Sequence, residues 1–175
     1  GSTEVAWRER ASDPISGLSL PLGSVRLTEA LLPRHPVPEP DLARLRAEIL
    51  RASEPLAVAL PRGLPAGAAV VAVAATATTL AALELALARY DAERVEGYAL
   101  DRDTLERWLA RLTALGVKDR SGLPGLEPAR ADVIVAGLEV LRGVLERLHV
   151  RRFSVSGRGV RHGVALRMLA GQMVI

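Results

Sequence analysis

The stretch Ala68-Ala69-Val70-Val71-Ala72-Val73-Ala74-Ala75-Thr76-Ala77-Thr78-Thr79-Leu80-Ala81-Ala82-Leu83 decides the fold. Its first seven residues are small, apolar and uncharged, the pattern of a strand buried on both faces. Thr76 offers a cap for a helix running from Ala77 to about Tyr90. Between the two lies a tight turn, Ala74-Ala75-Thr76, and turns of this kind present backbone amides and the positive end of a helix dipole to an anion. A second unit of the same design closes the chain. Arg152 to Ser156 alternates as a strand with Phe153 and Val155 inward, Gly157-Arg158-Gly159 makes the turn, and Val160 to Leu169 reads as a closing helix.

Working outward, Thr3 to Arg8 is extended in character, and Ile15 to Leu20 alternates as a second strand until Pro21 ends it. Gly23 to Leu32 reads as a short helix. Four prolines (Pro33, Pro36, Pro38, Pro40) mark an exposed connection, after which Asp41 is placed to cap a helix carrying Leu42, Leu45 and Ile49. Pro61 to Gly67 is a loop. Asp103 and Glu106 form a capping-box start for a helix with Leu105, Trp108, Leu109 and Leu112, which Gly116 stops. Pro128 suits the first turn of a long helix reaching Leu148. The order predicts an α/β layered domain with a mixed sheet flanked by helices.

Composition removes several functions. The net charge is +3, but Lys118 is the one lysine and the other cations are all arginine, in a chain with no Asn and abundant Ala. Such a pattern reads as GC-rich codon drift. The arginines also interleave with acids (Arg44, Arg46, Glu48, Arg51, Glu54), as on solvated helix faces. Aromatic residues make up 3% of the chain, too few for stacking platforms, and a nucleic-acid partner is not expected. Leu64 to Leu83 carries no charge, but its Ala, Gly and Thr content lacks the Leu, Ile and Phe that drive insertion, so no membrane span is expected. The absence of Cys excludes a thiolate metal site and fits a cytoplasmic setting. His35, His149 and His162 show no metal-ligand spacing. Arg161-His162-Gly163 spells the triplet of histidine phosphatases but falls in the closing helix, where that motif has no chemistry.

Several blocks together resemble the Ppx/GppA (exopolyphosphatase / guanosine pentaphosphate phosphohydrolase) family. Ser19 to Glu29 (SLPLGSVRLTE) is close to its SLPLGAVRLTE stretch, and Val71 to Leu83 to its VGVGGTATTLAAL. Gly125 to Gly137 (GLEPARADVIVAG) and Val155 to Gly163 (VSGRGVRHG) resemble two later segments. Gly1-Ser2-Thr3-Glu4 matches the end of the family's DIGGGSTE phosphate motif. The blocks stand in the family's order and span nearly the whole chain.

The resemblance implies a ribonuclease-H-like, actin-like fold. Residues 1–175 would be its second (C-terminal) subdomain, with a helical insert around 101–127 and the strand leading into the phosphate motif missing. It implies Mg²⁺-dependent removal of terminal phosphate from polyphosphate or guanosine pentaphosphate, bound in a cleft between two domains. Gly1, Ser2 and Thr3 would hold a phosphate, and Glu4 would act in catalysis and position the metal. Ala75 and Thr76 would form the second phosphate loop, although Ala74 and Ala75 replace glycines there. Ser156, Arg158 and Gly159 would form the last cleft-facing turn, where Gly157 replaces an Asp and His162 a Glu. The general base would lie in the other half, so this chain alone is expected to be inactive. A binding or regulatory module of the same fold is the alternative. A dimerisation or scaffold domain, using the apolar helix Val133 to Leu148, is a third, and a homodimer is compatible with the first reading as well.

Overall fold

The computed structural model of the protein describes residues 1–10, 12–65 and 67–171. The chain opens with a hairpin in which β1 (Thr3–Trp7) pairs antiparallel with β2 (Ser16–Leu20), setting Thr3 opposite Leu20 and Glu4 opposite Ser19. Strand alternation leaves Thr3, Val5 and Trp7 half-buried and Glu4 exposed. Helix α1 (Ser24–Leu31) follows from Gly23, which approaches the chain start so closely that a Cβ there would lie 2.5 Å from the Gly1 carbonyl oxygen.

Helix α2 (Glu39–Ala52) starts from Pro38 rather than Asp41. Pro40 occupies its first turn, where a missing N–H has no acceptor to lose, and this moves the start forward. Asp41 therefore lies inside the helix. Its fully covered carboxylate accepts from Arg34 at 2.9 Å and Arg44 at 2.6 Å. These arginines, Arg34 first, hold the carboxyl below the usual carboxylate range. Helix α3 (Glu54–Ala59) completes this segment.

Strand β3 (Val71–Val73) is shorter than the seven-residue apolar run, and Val71 and Val73 remain 54% and 50% exposed. The expected fully buried strand is an edge strand. The sheet order is β3-β5-β4, so β3 has one neighbour. Helix α4 (Ala75–Glu84) stops short of Tyr90, and α5 (Ala92–Val95) is capped by the Asp91 carboxylate. A strand that periodicity did not reveal, β4 (Ala99–Asp101), comes next. Asp101 both ends β4 and caps α6 (Arg102–Thr113), accepting the Thr104 N–H at 2.8 Å. The cap thus lies two residues before Asp103. After α7 (Val117–Ser121), Pro128–Arg130 form a 3₁₀ turn ahead of α8 (Ile134–Arg147). Strand β5 (Arg152–Ser156) buries Phe153 and Val155, as its alternation predicts.

Helix α8 is the centre of the core, packed against α1, α2, α4 and α6. Val135, Ala136 and Leu138 are fully covered, so the apolar face that could have served dimerisation lies inside the molecule. Buried Glu139 sits between Arg46 (2.8 Å) and Arg142 (2.7 Å), tying α8 to α2. β5 runs parallel to β3 and antiparallel to β4, giving the mixed sheet expected. Among the described residues no pairing joins the β1-β2 hairpin to this sheet, and β1 and β3 each have one strand neighbour. The last helix, α9 (Val160–Leu169), closes nothing: all its residues are exposed, Val160 to 84% and Leu169 to 86%. Among the described residues no helix is long and apolar enough to cross a membrane.

Candidate phosphate-binding site

The register of β3 on β5 brings two turns together. Because the strands are parallel and Val73 lies opposite Ser156, both chains leave the sheet at the same edge. One enters α4 through Ala74-Ala75-Thr76, the other enters α9 through Gly157-Arg158-Gly159. Neither helix has an acidic residue in its first turn or a side-chain cap, so the leading amides of both face the carboxyl end of the sheet without an internal anion on the helix itself. Ligands of open α/β sheets bind at this edge.

The α4 turn is strained. Ala74 has φ 70° and ψ −178°, a conformation nearly restricted to glycine. Thr76 does not cap the helix; it lies one residue inside, with its side chain against α8 at Gly137, where a Cβ would approach the Thr76 hydroxyl to 2.7 Å. Absence of a side chain at Gly137 lets the two helices meet here. Ala75 and Thr76 are half-buried, and Ala74 is exposed.

The first turn belongs to the hairpin. Thr3 donates its hydroxyl to the Leu22 carbonyl at 2.7 Å, which ties the chain start to the entry of α1. Ser2 and Ser19 both donate to Glu4 Oε1, Ser19 at 3.3 Å. Gly1, Ser2 and Glu4 are exposed. Helix α8 packs against both α1, which follows the hairpin, and α4.

The third turn holds a residue that sequence reasoning missed. Ser156 donates its hydroxyl to both oxygens of Glu96, at 2.8 and 3.0 Å, and the Gly157 N–H donates to Oε2 at 3.0 Å. The Arg158 N–H donates back to Ser156 Oγ at 3.0 Å, while Arg158 Nε stands 3.8 Å from Glu96 Oε1. The Ser156 hydroxyl, and then the Gly157 amide, hold the Glu96 carboxyl below its ordinary range against the opposing effect of burial. Glu96 follows α5, sixty residues upstream, and only the pairing of β4 and the preceding loop with β5 brings it here. No spacing rule connects such positions.

A family model, that of the Ppx/GppA phosphatase family, matches residues 1–172. The chain belongs to this family. Exopolyphosphatase 2 of Mycobacterium tuberculosis is 31% identical over 175 residues, covering 98% of this chain and 53% of that protein. Exopolyphosphatase 1 of Mycobacterium leprae is 32% identical over 158 residues, 90% of this chain and 46% of that protein. The crystal structure of the Aquifex aeolicus Ppx/GppA family member superposes with a TM-score of 0.86 at 28% identity, over 100% of this chain and 55% of that one. An exopolyphosphatase from Cytophaga hutchinsonii shares the fold, with a TM-score of 0.78 at 23% identity, over 92% of this chain and 52% of that one. The chain spans about half the length of the relatives it matches. Its actin-like α/β fold is that of the Ppx/GppA proteins.

Proposed function

We propose that this Ppx/GppA chain is the half of an exopolyphosphatase that clamps the terminal phosphates of polyphosphate. The observation that carries the reading is the β3–β5 register, which sets two acid-free helix starts side by side at one sheet edge. Backbone amides hold phosphate oxygens without a cationic side chain, and Arg158 adds a guanidinium of matching geometry. Gly1 and Ser2 contribute further backbone amides, and the hydroxyls of Ser2 and Thr3 brace this segment by donating to Glu4 and to the Leu22 carbonyl. The chain's exopolyphosphatase relatives favour polyphosphate; guanosine pentaphosphate, with the same phosphoanhydride chemistry, is the second substrate class.

Attack by water on a terminal phosphate needs the phosphate held in line and a base to take the proton. Clamping falls to the turns of this chain, and the base to the remaining half. Glu4 fits a role beside Mg²⁺. Both serine hydroxyls go to its Oε1, so Oε2 can face a cation, and Mg²⁺ is ordinarily held by one or two carboxylates together with substrate phosphates and water. When bound, the ion would neutralise charge on the phosphates. Among the described residues no group of three or more acidic or histidine side chains forms a cation cage.

Phosphate release from polyphosphate in the presence of Mg²⁺ tests the division of labour. This chain alone is expected to release negligible phosphate, and the chain joined to the remaining half of the enzyme to release it. Robust release by this chain alone would overturn that division. Strain at Ala74 and the carboxylate at the third turn favour a second reading, a binding or regulatory module. Binding without release by the joined protein would select it.

A further inference from the structure

We propose that Glu96 is an internal carboxylate lock on the Ser156–Arg158 turn, occupying the seat a phosphate would take and yielding it when the side chain swings out. The inference rests on the phosphate-clamping reading above and adds a control to one of its turns. The turn's anion donors are the Ser156 hydroxyl and the Gly157 N–H, and both already end on Glu96. A carboxylate offers two oxygens with delocalised negative charge, which satisfies the same donors that two oxygens of a phosphate would. Phosphate and Glu96 therefore compete for one set of donors, and their like charges exclude simultaneous occupation.

The surroundings allow exchange by rotation of one side chain. The backbone beside Glu96 is anchored, since the Gly97 N–H donates to the Val155 carbonyl at 2.8 Å and the Tyr98 N–H to the Val95 carbonyl at 3.1 Å. The turn keeps its shape without Glu96, because the Arg158 N–H donates to Ser156 Oγ. The Glu96 side chain is 32% exposed, so water can receive it on release. The charges of Arg158 and His162 act on it, and the Tyr90 hydroxyl lies at the same turn, 3.4 Å from where a Cβ on Gly157 would sit; Arg158 is 70% exposed and 3.8 Å away, able to follow either anion. Among the described residues no side chain caps the α4 turn next to it, and α4 has no acidic residue in its first turn. The two adjacent turns are thus unequal: one is open to phosphate and the other is closed by the chain's own carboxylate.

Titration of the protein with tripolyphosphate, followed by amide resonances in ¹H–¹⁵N spectra, tests the lock. With Glu96→Ala, binding is expected to tighten roughly tenfold, the scale of a pair of charge-assisted hydrogen bonds no longer contested. The Gly157 and Arg158 amides should then shift strongly on titration, and weakly in the unaltered protein. Glu96→Gln keeps the size and one acceptor oxygen, should lie between the two, and serves if the alanine variant does not fold. Equal or weaker binding by both variants would overturn the lock and make Glu96 a supporting residue. Shifts at Ser2, Thr3 and Thr76 with none at Gly157 in any variant would also overturn it, leaving the clamping reading intact. No shift at any turn in any variant would remove the clamping reading, and the lock with it.

Discussion

The helical side of the molecule and the carboxyl edge of its β3-β5-β4 sheet are built on opposite terms. Around α8, the charged groups drawn into the core are matched: Asp41 by Arg34 and Arg44, Glu139 by Arg46 and Arg142. Arg120 is fully covered, donates to the Leu112 and Ala131 carbonyls at 2.7 and 3.1 Å, and is drawn down to about 10 by burial. At the sheet edge, by contrast, Val71, Val73 and the apolar residues of α9 stand in solvent, Ala74 is held in a glycine conformation, and a carboxylate occupies an anion seat. On the helical side the apolar core is covered, and among the described residues the buried side-chain polar atoms other than Thr28 Oγ1 and Arg120 Nη2 have hydrogen-bond partners. Where an apolar strand is left exposed beside a strained turn, a functional site is expected.

Truncating the centre of the covered side should have the largest effect. Leu138 is fully buried in α8, and Leu138→Ala is expected to cost roughly 2–5 kcal/mol, through lost apolar burial and the cavity left behind. Urea unfolding measures it. A loss below about 1 kcal/mol would mean that α8 is not the structural centre.

Strain at the edge predicts a change of opposite sign. Ala74→Gly should raise stability by about 1 kcal/mol, the relief of positive φ less the added chain entropy of glycine. It also removes a Cβ from the α4 turn, so tripolyphosphate should bind that variant more tightly. A fall in thermal midpoint would show that the strain is absent.

Acid should act first on the covered side. His35 Nδ1 lies 3.1 Å from Arg120 Nη1; the guanidinium can only donate, so this nitrogen is the acceptor of a neutral ring. Burial, then the Arg120 charge, hold His35 below its ordinary value. Since the folded state resists the proton more than the unfolded one, stability is full above the unfolded value of about 6.5 and falls as pH drops toward the folded value. Asp41, Glu48, Glu96 and Asp101 are all held low, so their contributions persist to more acid pH, being lost only as pH falls through their depressed values. Melting temperatures across the mildly acid range should decline, and His35→Gln should flatten that decline. An unchanged slope would place the sensitivity elsewhere.

The same division governs how much was legible in the sequence. Periodicity located β5 and α1 within a residue or two, because their side chains meet the local core in a regular order. It misjudged β3, where an apolar run looks the same whether one face or two will be covered. It missed β4, whose three residues hold no period, and it placed caps at Asp41 and Asp103 where the helices start from Pro38 and Asp101. At the site, the strand–turn–helix pattern exposed both sheet-edge turns. Glu96 was invisible because its partners are sixty residues away and are met only through sheet pairing.

The smallest expected effect is the sharpest test of the contrast. Val71 and Val73 point their side chains from an edge strand and are about half exposed, so little area is lost from the fold if they become polar. Val71→Lys and Val73→Lys should each change unfolding free energy by no more than about 0.5 kcal/mol, the scale of ordinary surface substitutions. Yet a lysine on an edge strand opposes pairing with any further strand. If the β3 edge serves to receive a strand from the remaining half of the enzyme, the same changes should weaken association of the two halves while leaving this chain's own stability in place. A large loss of stability with unaltered association would reverse the argument, making the edge part of the core and the helical side no different from it.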